Sequence, residues 1–158
     1  MTKQELGDLI ISSQEQMYRI AKTILYSDED CADAISETIV RSFAKVGTLK
    51  NDAFAKTWLI RILINECYSV YRMKKTFVPL ELQNAERNAS EDYTELYEAI
   101  HALPKEIGLS VTLHHIEGYK VKEIASMMKV TEDVVKKRLV QGRAQLRALL
   151  EDREEVAG

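Results

Sequence analysis

The side chains of this sequence whose types and spacing could do chemistry are mostly cations and aromatic rings. The segment 130–147, VTEDVVKKRLVQGRAQLR, has more cations than acids. Its cations are Lys136, Lys137, Arg138, Arg143 and Arg147, and its acids are Glu132 and Asp133. A helix with cations on one face can bind DNA phosphates while its early residues reach base edges in the major groove. The segment therefore predicts a DNA-binding helix, although a charge run is also typical of a solvated face.

A second segment, 54–75, places aromatic rings beside cations. The rings are those of Phe54, Trp58, Tyr68 and Tyr71, and the polar partners are Lys56, Arg61, Asn65, Arg72, Lys74 and Lys75. Interleaved rings and cations suit a single-stranded or partly opened nucleic acid, because bases stack and phosphates pair with charge. The alternative is that Phe54 and Trp58, which are four residues apart, belong to a helix core, and their spacing favours that alternative.

Other reactive side chains do not form a recognisable site. His114 and His115 are adjacent and so point to different sides of a helix, and zinc needs three or four converging ligands. Cys31 and Cys67 fit no metal-ligand spacing, and we expect both to be reduced and buried. No nucleophile has an evident base. We therefore expect no enzyme, no metal, no cofactor and no small-molecule ligand.

Composition and patterning predict an all-α protein. The chain has 158 residues and a formal net charge of -3. It contains only two prolines and six glycines, and this low content favours long helices over tight turns. No apolar run approaches the roughly 20 residues that cross a bilayer, and the first residues lack a signal-peptide pattern. These features predict a cytoplasmic protein.

Helical periodicity divides the chain into two modules. Three helices are expected in the first: one up to about residue 25, one that Ser27 caps and that stops near Gly47, and one over about 53–75. Phe54 and Trp58 head the apolar stripe of the third. An acidic segment around 81–98 has six acidic residues against one arginine and predicts a linker.

The second module has the layout of a helix-turn-helix. Pro104 suits the first turn of a helix that runs to about residue 117, where Gly118 is a natural C-cap. Helices are then expected over 121–128 and from Thr131, a candidate N-cap, to about 151. The small side chain of Ala125 would let these two helices cross closely.

Together these segments resemble the bacterial sigma factors of the extracytoplasmic-function (ECF) type over nearly the whole chain. The segment DCADAISETIVRSF, residues 30–43, is similar to the family helix that docks on the β′ coiled coil of RNA polymerase. Ser36 and Ile39 replace the usual glutamine and phenylalanine. The resemblance implies that the polymerase-binding residues are Asp30, Asp33, Glu37, Thr38 and Arg41.

The segment FAKTWLIRILIN, residues 54–65, resembles the family element that melts and reads the −10 promoter element. Ser69 stands where the family often has an aspartate. The residues that the resemblance assigns to the −10 element are Lys56, Trp58, Arg61, Asn65, Arg72, Lys74 and Lys75.

Residues 103–147 resemble the family domain that reads the −35 element. Gly108 replaces a usual arginine, Asp133-Val134 replace glycine-threonine, and Gln141-Gly142 replace arginine-alanine. The implied −35 contacts are Thr131, Glu132, Asp133, Lys136, Lys137, Arg138 and Arg143.

The resemblance implies two small helical domains. Sigma region 2, a three- to four-helix bundle, would span 1–75, an acidic linker 76–93, and sigma region 4, with its helix-turn-helix, 94–158. The implied partners are core RNA polymerase (β′ coiled coil and β flap), promoter DNA and an anti-sigma factor, which is membrane-bound in many family members. Two other functions remain open from the residues alone: a stand-alone helix-turn-helix regulator with an N-terminal interaction module, and a helical adaptor that binds only proteins.

Overall fold

A computed structural model describes the backbone of residues 1–77 and 94–157 and the side chains of residues 1–74 and 95–151. All regular structure in these residues is helical, which confirms the predicted fold class. The chain divides into two compact units, Met1–Asn88 and Ala89–Gly158. Most of the predicted linker, residues 78–93, lies outside the described residues, while Thr76 and Phe77 form the end of a helix.

The N-terminal unit is a bundle of three long helices: α1 (Lys3–Ile24), α2 (Asp28–Lys45) and α3 (Ala55–Phe77). Two short 3₁₀ turns, Val46–Thr48 and Asp52–Phe54, connect α2 to α3. The hydroxyl of Ser27 accepts a hydrogen bond from the backbone N–H of Asp30, so Ser27 caps α2 as predicted.

The bundle core consists mainly of aliphatic side chains at helical spacing. Its largest fully buried members are Leu6, Met17, Ile20, Ile24, Leu59, Ile60 and Leu63. Cys31 and Cys67 are free and buried, as predicted. Burial raises the pKa of the Cys31 thiol to about 12 and that of Cys67 well above its ordinary value, so neither is a nucleophile near neutral pH.

The predicted position of Phe54 in this core is wrong, because the residue is 62% exposed. The buried stripe of α3 runs through Leu59, Leu63 and Cys67. Phe54 lies outside α3, at the end of the 3₁₀ turn that precedes it. Trp58 is only half-buried because it lies about 100° around the helix axis from Leu59.

A buried lysine fixes the corner between α1 and α2. The Lys22 amine donates to the Tyr26 carbonyl at 2.7 Å and to the Asp28 carboxylate at 2.8 Å. The Tyr18 hydroxyl donates to the same carboxylate. Burial of Asp28 opposes its ionisation, but the hydrogen bonds from Lys22 and Tyr18 outweigh burial and lower its pKa.

The described part of the C-terminal unit contains three short helices and one long helix. The short ones are α4 (Thr94–His101), α5 (Lys105–Val111) and α6 (Val121–Met128), and the long one is α7 (Glu132–Ala157). The helix predicted from Pro104 to residue 117 differs from the observed structure in two respects. Pro104 precedes the first turn of α5 instead of lying in it, and α5 continues as a π-helical turn, Thr112–Ile116. Gly118 follows with a φ of 78°, as its predicted capping role requires.

Close contact between α5 and α7 depends on Gly142. A Cβ atom at this position would lie 2.4 Å from Cγ2 of Val111 and 3.0 Å from Cγ2 of Ile107. The absence of a side chain therefore sets how near α7 approaches α5.

Candidate nucleic-acid interface

The helix-turn-helix consists of α6, a two- to three-residue turn and α7. Lys129 adopts the left-handed conformation in this turn, with a φ of 57°, and the Val130 N–H donates to the Ala125 carbonyl at 3.0 Å. The hydroxyl of Thr131 accepts the N–H of Val134 at 3.3 Å, which confirms the predicted N-cap. Burial of Val135 and Leu139 anchors the inner face of α7. The opposite face is therefore presented in a fixed orientation relative to α6.

The outer face of α7 carries a shallow groove of about 350 Å³. Four side chains line it: Lys136, Lys137, Val140 and Gln141. Both lysines are exposed, as predicted, and Val140 is 60% exposed. We call these four residues the α7 groove.

Val140 and Gln141 were not among the −35 contacts predicted from the sequence. They lie one helical turn after Lys136 and Lys137, so the same spacing that placed the lysines on one face includes them. They were not predicted because the DNA contacts on this face were identified by their positive charge. An apolar side chain and an amide next to two cations offer contacts for a thymine methyl group and for a base edge.

The expectation that Arg138 shares this outer face is wrong. Arg138 is half-buried, and its Nη1 atom is buried without a hydrogen-bond partner among the described residues. Arg138 precedes the buried Leu139 and lies on the flank of the helix that turns towards the core. Arg143, in contrast, is exposed.

The first turn of α7 exposes Glu132 and Asp133. Carboxylates at a helix N-terminus interact favourably with the helix dipole. The hydroxyl of Thr131 is occupied as the cap. These three residues therefore have a structural role that is independent of any contact with DNA.

One face of α3 gathers most of the side chains that were predicted to contact the −10 element. Trp58, Arg61 and Asn65 follow each other on α3 at intervals of three or four residues, and Arg72 continues the row two turns later. Phe54, four residues before Trp58 at the end of the preceding 3₁₀ turn, extends the row. Phe54, Asn65 and Arg72 are exposed, and Trp58 and Arg61 are half-buried. Phe54 was not among the predicted contacts, although it belongs to the same sequence motif. We call this row the α3 face.

Three of the predicted −10 residues are not placed on this face. Lys56 lies two residues before Trp58, about 200° around the helix. The Lys74 amine lies 3.5 Å from the Asp30 carboxylate, on the side of α3 that packs against α2. The side chain of Lys75 lies outside the described residues.

The outer side of α2 presents a charged ridge of two acids followed by one cation: Asp33, Glu37 and Arg41, each one turn from the next, are all exposed. Asp30 is largely buried in its ion pair with Lys74. Thr38 is fully buried, and its hydroxyl donates to the Ala34 carbonyl at 2.7 Å. The polar group of Thr38 is therefore used inside the bundle, and its assignment as a polymerase contact stays a prediction.

Arg41 makes contacts that sequence spacing could only partly predict. Its Nε atom lies 3.2 Å from the Glu37 carboxylate, one turn earlier on α2, and 2.7 Å from the Glu66 carboxylate on α3. The first contact follows from an i, i+4 spacing. The second joins residues 25 positions apart, and nothing in the local pattern indicates it.

The histidines have structural contacts. His114 donates through Nδ1 to the Tyr119 carbonyl at 2.9 Å, and its ring packs edge-to-face on that of His115 at 4.8 Å. Burial, followed by the neighbouring His114 and Arg143, lowers the pKa of His115. Within residues 1–77 and 94–157 no group of three metal-ligating side chains could hold an ion, and no helix is long and apolar enough to cross a membrane.

Two family models match the chain in order. Sigma-70 region 2 matches residues 9–76, which include α2 and the α3 face, and Sigma-70, region 4 matches residues 93–146, which include the α7 groove. The first match therefore contains the α2 ridge and the α3 face, and the second contains the α7 groove.

Individual proteins show the same similarity. The ECF RNA polymerase sigma factor SigM of Mycobacterium tuberculosis is 30% identical over 140 residues, which cover 85% of this chain and 71% of SigM. The RNA polymerase sigma factor SigV of Bacillus subtilis is 27% identical over 143 residues, with 87% of this chain and 86% of SigV covered. The fold resembles that of the sigma factor RpoE in its complex with the anti-sigma factor NepR from Bartonella quintana, with a TM-score of 0.76, 21% identity, and coverage of 94% and 96%.

Proposed function

The chain belongs to the ECF sigma factors of the sigma-70 family, and we propose on that basis how its residues divide the work of transcription initiation. As a member of this family it binds core RNA polymerase and directs promoter-specific initiation through −10 and −35 elements. The observation that carries the proposal is that each of the two matched regions contains an ordered surface of the required chemistry: cations with an amide on α7, and aromatic rings with cations on α3.

For the −35 element, α7 lies in the major groove. Lys136, Lys137 and Arg143 bind phosphates, and Gln141 and Val140 contact base edges. An amide can pair with adenine through two hydrogen bonds, and an isopropyl group can pack on the thymine methyl. Glu132 and Asp133 stabilise the helix start.

For the −10 element, the α3 face supplies the contacts. Phe54 and Trp58 stack on bases of the opened strand, while Arg61 and Arg72 pair with its phosphates and Asn65 hydrogen-bonds a base. Stacking on an aromatic ring contributes about 1–3 kcal/mol per base, which helps to offset the cost of unpairing. Lys56 and Lys74 have no part in this surface.

Core polymerase binds the ridge on α2. Asp33, Glu37 and Arg41 are its contacts with the β′ coiled coil, and Asp30 and Thr38 support the ridge from within the bundle. The predicted domains remain part of the proposal: region 2 over 1–75, linker over 76–93, and region 4 over 94–158, with region 4 also bound by the β flap.

An anti-sigma factor is a further proposed partner. The solved complex of RpoE with the anti-sigma factor NepR has the same fold in its sigma chain. We also propose that this chain acts in the cytoplasm, where bacterial transcription takes place, and that it has no enzymatic activity of its own. Family membership favours this function over a stand-alone regulator or a protein-binding adaptor.

A binding experiment separates these functions. We expect weak binding of the isolated protein to promoter duplex, and tight, sequence-specific binding once core RNA polymerase is added. Tight binding without polymerase would identify a stand-alone regulator, and no binding under either condition would identify an adaptor. Electrophoretic mobility shift with labelled promoter DNA, at a stated salt concentration, gives the readout.

A further inference from the structure

Arg41 on the α2 ridge is held by a carboxylate from a different helix. Its Nε atom lies 2.7 Å from Oε1 of Glu66 on α3, against 3.2 Å from Oε1 of Glu37 on α2. The Glu66 side chain is 14% exposed, whereas those of Arg41 and Glu37 are 48% and 50% exposed. The two carboxylates therefore differ in both distance and environment.

These differences make Glu66 the partner that fixes Arg41. A short ion pair with a largely buried carboxylate is stronger than an exposed ion pair between neighbouring turns of one helix, which contributes little. The Glu66 side chain is also largely buried, which restricts the positions that its carboxylate can take. Glu37 is as exposed as Arg41 itself and offers no comparable anchor.

The contact leaves most of the guanidinium for a partner. Both carboxylates approach Nε, and the two terminal nitrogens carry four further N–H groups. Such a fork can bind a carboxylate through two parallel hydrogen bonds if its plane is already oriented.

We propose that Glu66 is a positioning residue for polymerase binding: it holds Arg41 in the orientation in which the terminal nitrogens contact a carboxylate of core RNA polymerase. The inference rests on the proposed role of the α2 ridge and extends it to a residue of α3. Without Glu66 the arginine side chain samples several rotamers, and association must then order it at an entropic cost.

A double-mutant cycle tests this role. Glu66→Ala in the full-length protein is expected to weaken binding to core polymerase by about threefold to tenfold, the range that corresponds to ordering one long side chain. Glu66→Gln, which keeps an acceptor for Nε, should recover part of the loss. In an Arg41→Ala background, Glu66→Ala should have no further effect. Fluorescence anisotropy with labelled protein gives the dissociation constants.

Controls distinguish positioning from a general effect on folding or charge. Glu15→Ala removes the same charge from an exposed site on α1 and should leave polymerase binding unchanged. Melting curves of every variant show whether the bundle is intact at the assay temperature. An equal loss from Glu66→Ala with and without Arg41, or no loss at all, would overturn the positioning role. If Arg41→Ala itself leaves binding unchanged, the assignment of the ridge to polymerase fails as well, which separates that failure from a failure of Glu66 alone.

Discussion

Individual side chains of the α7 groove suit different contacts with DNA: some suit phosphates and others suit base edges. Lys136 and Lys137 carry a point charge on a long chain, which suits phosphate contacts that are independent of sequence. Gln141 has a donor and an acceptor in fixed geometry, which suits a base edge. Neighbouring residues on one face should therefore respond differently to substitution.

Gln141→Ala is expected to reduce discrimination at one base pair of the −35 element by about 1–3 kcal/mol, because the bidentate contact is lost. Lys136→Ala should instead weaken binding to all promoters equally and reduce the salt-dependence slope by about one unit. Competition binding of the polymerase complex to a set of single-base promoter variants, repeated at several salt concentrations, measures both effects.

Gln145→Ala is the matched control for this experiment, because Gln145 is exposed on α7 one turn beyond Gln141 and outside the groove. It should leave discrimination unchanged. A uniform loss from Gln141→Ala would mean that the amide does not read a base.

Single residues also mark the limit of reasoning from sequence about the site. The helical pattern placed Lys136 and Lys137 on an exposed face, and the family resemblance singled out Asp33, Glu37 and Arg41, which are also exposed. It could not place Arg138 or Lys74, because whether a long cation turns outward or inward depends on neighbours from other helices. The partnership of Arg41 with Glu66 is of the same kind, since it depends on how α2 packs against α3.

Among the elements, the helices with a clear apolar stripe were the most predictable part of the fold. The predicted range 53–75 compares with Ala55–Phe77 for α3, and 121–128 agrees with α6. Such helices have a strong apolar stripe and recognisable caps at Thr131, Ser27 and Gly118. The π-helical turn Thr112–Ile116, which continues α5, has no corresponding pattern in the sequence.

The crossing of α5 and α7 predicts that replacing a helical glycine by alanine will destabilise the protein, which is the opposite of the usual effect. Alanine normally stabilises a helix relative to glycine by about 1 kcal/mol. At Gly142, however, the added methyl group would overlap Val111, and overpacking costs about 1–3 kcal/mol. We therefore expect Gly142→Ala to lower the free energy of unfolding by about 1 kcal/mol, as measured by urea denaturation.

Gly7→Ala on α1 is the control for this substitution, because the nearest atom to its Cβ would be Cζ of Phe43 at 4.0 Å. This change should stabilise the protein. Stabilisation by both substitutions would show that α5 and α7 are not in close contact.

The corner between α1 and α2 gives a pH-dependent prediction. Folding lowers the pKa of Asp28 from its ordinary value of 3.8. The carboxylate therefore contributes to the free energy of unfolding above that pH, and the contribution is lost as the pH falls through the pKa of the folded state. Asp28→Asn should cost about 1 kcal/mol near neutral pH, because the buried Lys22 loses a charged partner while solvent screens part of the interaction at Asp28, which is 44% exposed.

The cost of Asp28→Asn should shrink towards zero as the pH falls through the lowered pKa of the folded state, because the wild-type carboxyl is then also protonated. Urea denaturation of both proteins between pH 7 and 3 measures the difference. Asp8→Asn, at an exposed position of α1, should show no such trend. A cost that does not depend on pH would contradict the ion pair.

For the molecule as a whole, the distribution of charge explains how a DNA-reading protein can have a net charge of -3. Cations are concentrated on α3 and α7, while acids are concentrated in the segment 81–98, at the start of α2 and near the end of the chain. The long-range field of an acidic protein does not attract DNA. Recognition therefore depends on local surfaces that polymerase brings to the promoter.

Transcription in vitro tests the central claim most directly. Core RNA polymerase, this protein and a library of promoter fragments from the same genome are combined, and the transcript start sites are mapped. The sigma-factor function predicts transcripts from a small set of promoters that share −10 and −35 motifs, appear only when the protein is added, and are lost with Trp58→Ala and Lys136→Ala/Lys137→Ala. An absence of protein-dependent transcripts, with polymerase active on a control sigma factor, would contradict it.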